Sequence, residues 1–203
     1  MNIRPYVSVD IETTSLDLER SDILELGFVY DDGVSPIEKL IKRNFILKLP
    51  SISFATFSAL NLNIRLIKTI HEGTHADLVT IEQAFDSFID VLIQASTDAR
   101  DYDKKRDMKP SSRVSLAGKN VSAFDIPIIK SFLLRQGLEH LWTSIEALKQ
   151  HRTIDPGSMY FHDYGYVPSL GEIMLRINPE STGISHVAME DSLDVVKAIR
   201  FKR

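Results

Sequence analysis

"YVSVDIE", residues 6 to 12, alternates strictly: Val7, Val9 and Ile11 point one way, and Ser8, Asp10 and Glu12 point the other. A period of two is the pattern of a β-strand with one apolar face. The opposite face carries two carboxylates only two residues apart, so both project from one side at close range. Like charges held that close repel, and ionisation of one raises the pKa of the other. A divalent metal between them removes the conflict, and hard oxygen ligands suit magnesium or manganese. The alternative is the exposed face of an edge strand, where D-x-E is unremarkable. The apolar Val7-Val9-Ile11 face points instead to a sheet interior.

Outward from this strand the chain reads as alternating α/β. "DILELGFVYDD" (22 to 32) is a second strand ending in a turn at Asp32-Gly33, and "EKLIKRNFILK" (38 to 48) a third. Short connections make the three a β-meander. Residues 80 to 95 form an amphipathic helix, with Ile81, Phe85, Phe88, Ile89 and Leu92 on one stripe. Thr80 is its expected N-cap, with Gln83 in the capping-box position. The polar stretch from about 96 to 112 reads as an exposed loop. Its Lys104, Lys105, Arg106, Lys109 and Arg113, like Lys39, Lys42, Arg43 and Lys48 on the third strand, suit either a nucleic-acid backbone or plain solvent. A short strand at 113 to 118, a helix from 125 to 137 closed by Gly137, and a brief strand at 152 to 155 follow. A helix near 169 to 177 and a final one from about 187 to 201 complete the order. No internal repeat or boundary divides residues 1 to 203, so a single domain is expected.

Composition excludes several classes. The 203 residues include no cysteine, which removes disulfides and thiolate metal sites and fits a reducing cytoplasm. Acidic residues by position 10 leave no room for the apolar core of a signal peptide. No run approaches the roughly 18 apolar residues of a membrane helix, so no membrane association is expected. A net charge of -4 argues against coating duplex nucleic acid, but not against gripping a few nucleotides at one end.

Three further residues carry chemistry. Asp125 stands just before Ile126-Pro127, where a helix N-cap is one reading and a ligand another. Asp191 lies at the edge of a stripe formed by Ala188, Val195 and Ile199. A carboxylate there needs a partner, either a metal or an arginine. His186, five residues earlier, sits at the mouth of the same helix, where a capping or surface role competes with a catalytic one.

The joint order of these residues is more specific than any one of them. The chain resembles the DEDDh 3′–5′ exonucleases, the DnaQ-like group that includes proofreading subunits, RNase T and oligoribonucleases. "DIETTSL" is similar to the family's D-x-E-T-T-G-L, and "ILELG" to the I-x-E-[IL]-G of its second strand. "LAGKNVSAFDIPII" is similar to its second motif, and "SHVAMEDSLDVV" to its H-x-A-x-x-D third motif. The resemblance runs from about residue 5 to 200. It implies an RNase H-like fold, with a five-stranded mixed sheet whose strand 2 is antiparallel, flanked by helices. It implies that Asp10, Glu12 and Asp191 hold one Mg2+ or Mn2+, and Asp10 with Asp125 a second. Two such ions roughly 3.5 to 4 Å apart clamp the attacking water and the leaving oxygen of a phosphodiester. His186 would be the general base, a task an imidazole suits near neutral pH. Thr13 and Leu16 would receive the 3′ end of single-stranded DNA or RNA, the leucine wedging against the last base, and the product would be a nucleoside 5′-monophosphate. Two positions depart from the family pattern: Ser15 replaces the usual glycine, and Lys119 stands where a histidine often precedes the asparagine. No polymerase domain is attached, so the protein would act alone or join a polymerase or repair partner. Its oligomeric state is left open.

Two other readings compete. "TIHEGTH" (69 to 75) matches H-E-x-x-H, with His71 and His75 one helical turn apart, as in a zinc protease. Gly73 and Thr74 weaken such a helix and no third ligand follows, so a connector to the next helix is the better reading. A catalytically silent nucleic-acid-binding member is the other, and all five catalytic positions hold the residue types that activity requires.

Overall fold

The computed structural model describes residues 3–73, 75–180 and 185–202. Three long strands form first: β1 (Tyr6–Thr13), β2 (Ile23–Asp31) and β3 (Ile41–Leu47). Then come α1 (Phe57–Leu62), α2 (Ile64–Glu72), β4 (Leu78–Val79), α3 (Ile81–Lys105) and β5 (Ser115–Ala117). The chain continues through α4 (Asp125–Arg135), α5 (Glu139–Leu148), α6 (Pro156–Met159), α7 (Phe161–Tyr164), α8 (Leu170–Ile177) and α9 (Ala188–Phe201). The result is an α/β fold with an open, mixed, five-stranded sheet in the order β4-β3-β2-β1-β5. β2 runs antiparallel to both of its neighbours, while β1 with β5 and β3 with β4 are parallel pairs.

β1 is therefore an interior strand, and its alternation is used on both sides. Val7, Val9 and Ile11 join the larger core with Phe85, Phe88 and Leu92 of α3 and Phe132 and Leu133 of α4. Tyr6 faces the other way, into a second core with Leu170 and Met174 of α8 and Val195, Val196 and Ile199 of α9. Ser8, Asp10 and Glu12 share that second face by the period of the strand. The reading of D-x-E as an edge-strand surface falls away.

Several sequence expectations need correction. The helix expected to stop at 95 continues to Lys105, and only 106 to 112 of the expected loop is non-helical. Its buried stripe goes on as Ala95, Ala99 and Asp103, small or charged residues that hydrophobicity alone does not reveal. Asp103 can be buried because Arg4 grips it with two bonds of 2.9 and 3.1 Å. The strand expected at 152–155 is reduced to a single bridge, Ala117 to Ile154. The fifth strand is β4 at the opposite edge, beside β3. The sequence reading gives no sign of the helices α1, α2, α5, α6 and α7.

Other local readings stand. Thr80 and Gln83 form a full capping box at the start of α3. Gly137, at φ 72°, takes the left-handed conformation just beyond α4. Among the described residues, no helix is long and apolar enough to cross a membrane.

Candidate functional site

Each acidic residue reaches one end of the sheet by a different route. β1 brings Asp10 and Glu12, the start of α4 brings Asp125, and the first turn of α9 brings Asp191. His186 lies just ahead of α9. Ligand atoms of Glu12, His186 and Asp191 all lie within 4.8 Å of one another. An open cleft of about 330 Å³ is lined by Asp10, Glu12, Lys119, Asn120, His186 and Asp191, among others.

The local structure removes one alternative at Asp125 and one at Asp191. Asp125 is not the cap of α4: that position is Phe124, with no side-chain bond, and Asp125 is the first helical residue. Its carboxylate instead accepts from its own backbone N–H and from that of Ile11, which ties α4 to the end of β1. Asp191 has no arginine partner among the described residues. Its Oδ1 accepts from the Ser185 hydroxyl at 3.1 Å and the Ser185 backbone N–H at 3.3 Å. His186 adopts φ 53°, a left-handed backbone that costs an ordinary residue about 1 kcal/mol and tends to be retained at functional sites. A segment after Gly183 that lets His186 swing in when substrate binds is a further expectation from the sequence, and Gly183 lies outside the described residues.

The electrostatics follow from burial without counter-charge. Burial pushes the Asp10 carboxyl well above its ordinary range, and the charges of Asp125, Asp191, Glu12 and Glu25 push it further. Burial raises Asp125 to about 7 against the opposing pull of its two backbone bonds, with Glu12 adding to the rise. Glu12 and Asp191 are also raised by burial, while His186 pulls both back. No arginine or lysine forms an ion pair with any of these four among the described residues. A cluster of carboxylates in this condition holds protons or divalent cations. Oxygen-rich donors with one imidazole at the rim fit Mg2+ or Mn2+, and Asp10, Glu12, Asp125 and Asp191 are the residues that would hold them.

Thr13 and Leu16 occupy a second, more apolar groove of about 260 Å³ that shares Glu12 with the cleft. Leu16 is 81% exposed, and Ala59 and Leu62 of α1 with Phe124 line the groove around it. Thr13 is buried; its hydroxyl donates to the Ser15 carbonyl at 2.7 Å. Ser15 makes its turn without a left-handed backbone and holds it with its side chain, which bonds the Ser21 hydroxyl and accepts from the Asp17 N–H. The missing glycine is thus replaced by a hydrogen-bonded serine.

Sequence reasoning missed two participants. Asn63, at the α1–α2 junction, is buried and donates to the Thr13 carbonyl at 3.0 Å and to the Glu12 carboxylate. Glu25 of β2 is fully buried directly across from Glu12. A lone acid within "ILELGFVY" was the available signal for the second. By contrast, the H-E-x-x-H stretch is split. α2 ends at Gly73, whose φ of 69° closes the helix before His75 is reached. His71 and Glu72 are exposed on its last turn. No protein-family model matches the chain, and a search of curated proteins finds no significant match.

Proposed function

We propose that the chain is a metal-dependent 3′–5′ exonuclease of the DEDDh, DnaQ-like kind, built on an RNase H-like fold. It would release nucleoside 5′-monophosphates from the 3′ ends of single-stranded DNA or RNA. One observation carries the reading: four buried or half-buried carboxylates from three separate elements converge with no arginine or lysine ion-paired to them among the described residues, and with an imidazole at their rim. A purely structural cluster would be costly to fold around. The apolar groove at Leu16, next to the acidic cleft, supports a strand whose last base stacks while its phosphate enters the cleft.

Asp10, Glu12 and Asp191 would hold one Mg2+ or Mn2+ and Asp10 with Asp125 a second. Bound there, such ions supply Lewis-acid polarisation of the phosphodiester and a lowered pKa for the attacking water. The protein's own residues do the rest. His186 accepts the proton of the attacking water as general base, its left-handed backbone aiming the ring over Glu12 and Asp191. Leu16 orients the terminal base, and Asn63 fixes Glu12 and the Thr13 carbonyl so that the two sites keep their relative position.

The test is incubation with 5′-labelled single-stranded DNA and RNA, with Mg2+ or Mn2+ and with EDTA. A ladder of 3′ shortening that vanishes with EDTA and in Asp10→Ala is expected. No shortening of either substrate would sink the proposal.

A further inference from the structure

α9 carries Asp191 and follows His186, yet it has no cap of its own. Its N-cap position is Val187, whose side chain offers no acceptor. The first N–H groups of a helix need partners, and an exposed helix usually finds one in its own Ser, Thr, Asp or Asn. Here the sheet provides them. Glu25 Oε2 of β2 accepts from the Ala188 N–H at 3.0 Å, and Asn44 Oδ1 of β3 accepts from the Met189 N–H at 3.2 Å. The two caps hold each other through Asn44 Nδ2 donating to Glu25 Oε1 at 2.8 Å. Arg65 of α2 stands 3.5 Å from the same Oε1. Both oxygens of Glu25 are therefore occupied, unlike those of a residue waiting for a ligand.

The strand register places these caps beside the acidic site. Glu12 faces Glu25, and Asp10, Gly27 and Asn44 form one row across β1, β2 and β3. Gly27 lets the helix descend onto that row. A Cβ there would lie 2.0 Å from the Met189 nitrogen, so only glycine permits the approach. Ser192 secures the contact by donating to the Gly27 carbonyl at 3.1 Å.

We propose that Glu25 and Asn44 are positioning residues that cap α9 from the sheet and thereby hold Asp191 and His186 over Asp10 and Glu12. The proposal rests on the metal-enzyme reading above. Glu25 is then not a fifth ligand: its main action on the cations is through the helix it holds, beside the field of its charge at Asp10 and Glu12. A negative group at that helix N-terminus is also favoured by the helix dipole.

The experiment pairs amide hydrogen exchange in EDTA with Mn2+ calorimetry on the full chain. Glu25→Ala should lose protection at the Ala188 amide and weaken Mn2+ binding by about tenfold or more, as loss of an outer-shell support does. Glu25→Gln keeps an acceptor for Ala188 and should recover most of that affinity. Asn44→Ala should lose protection at Met189 with a smaller loss of affinity, and it serves where Glu25→Ala does not fold. Wild-type Mn2+ affinity in Glu25→Ala would overturn the proposal. So would a Glu25→Gln variant that falls as far as Glu25→Ala, because the charge would then act on the ion directly. Wild-type protein that binds no Mn2+ removes the metal-enzyme reading itself. In that event the exchange data still decide the cap, and unprotected amides at both Ala188 and Met189 would refute it.

Discussion

At the end of the sheet where β1 begins, Asp31 and Asp103 are 0% and 2% exposed, and each lies against an arginine. Arg200 bonds both oxygens of Asp31 at 2.8 and 2.5 Å, and Arg4 does the same for Asp103. At the end where β1 finishes, Asp125, Asp191 and Glu12 are 3%, 5% and 8% exposed, nearly as buried as the first pair, but without a guanidinium partner among the described residues. The residue types and the burial match, and the charge balance is opposite. Where a buried acid serves the fold, the chain places an arginine beside it. Where none is placed, the proposed function supplies the compensating charge from outside, as a divalent cation.

The difference can be tested from both ends. The largest expected effect is Asp10→Ala, which should reduce cleavage of labelled oligonucleotides by roughly 10³-fold or more, as loss of a residue in a catalytic unit does. Retained activity would place the chemistry elsewhere. His186→Ala should lower kcat by roughly 10²- to 10⁴-fold, in the range of a lost general base, with Mn2+ affinity nearly intact. A collapse of Mn2+ affinity in that variant would make the imidazole a ligand instead. At the compensated end, Arg200→Ala leaves Asp31 charged, buried and unpaired. It should cost about 3 kcal/mol in urea unfolding, with Mn2+ affinity per folded molecule unchanged.

Asp125→Asn should move stability in the opposite direction. It removes repulsion, so in EDTA the fold should gain on the order of 1 kcal/mol. The pH dependence has a definite sign. Asp125 titrates at about 7 in the folded chain, above the usual carboxylate range near 4, so the folded state binds the proton more tightly. The stability this provides is complete at low pH and is lost as pH rises through about 7. Melting temperature in EDTA should therefore fall between pH 5 and 8, and the slope should flatten in Asp125→Asn. Mn2+ affinity should follow the reverse course, weakening as pH drops below 7 because protons compete for the same oxygens. A melting temperature that rises with pH across this window would contradict the raised carboxyls.

How much of this was legible in the sequence depended on which physical signal each feature leaves. β1 was clear because its apolar and acidic residues alternate without exception, and α3 began where its capping box says it should. The second half of α3 was hidden because its buried face is Ala95, Ala99 and a paired Asp103, which look polar or neutral in isolation. α2 was obscured differently: only Leu66 is fully buried, and the eye is drawn to a histidine pattern that Gly73 interrupts. The four acidic positions and the imidazole were picked out together only by the motif order in which the chain resembles a known family, and the structure brings them to one end of the sheet. The roles of Glu25, Asn44 and Asn63 were not, because each acts by bonding the backbone of a distant element. No spacing rule encodes such a contact.

α9 is fastened to β2 at both of its ends, by Glu25 near Ala188 and by Asp31 at Arg200. From Ala188 to Arg200 a helix rises about 18 Å, and from Glu25 to Asp31 a strand covers about 20 Å, so the two elements are matched in length. The match cannot be kept by equal changes in both. One residue added to the strand lengthens it by about two helical steps and turns every following side chain to the other face. One residue added to the helix rotates everything beyond it by about 100°. Insertions and deletions should therefore be rejected between 188 and 200. A library of single-residue length variants selected for folding would show this directly.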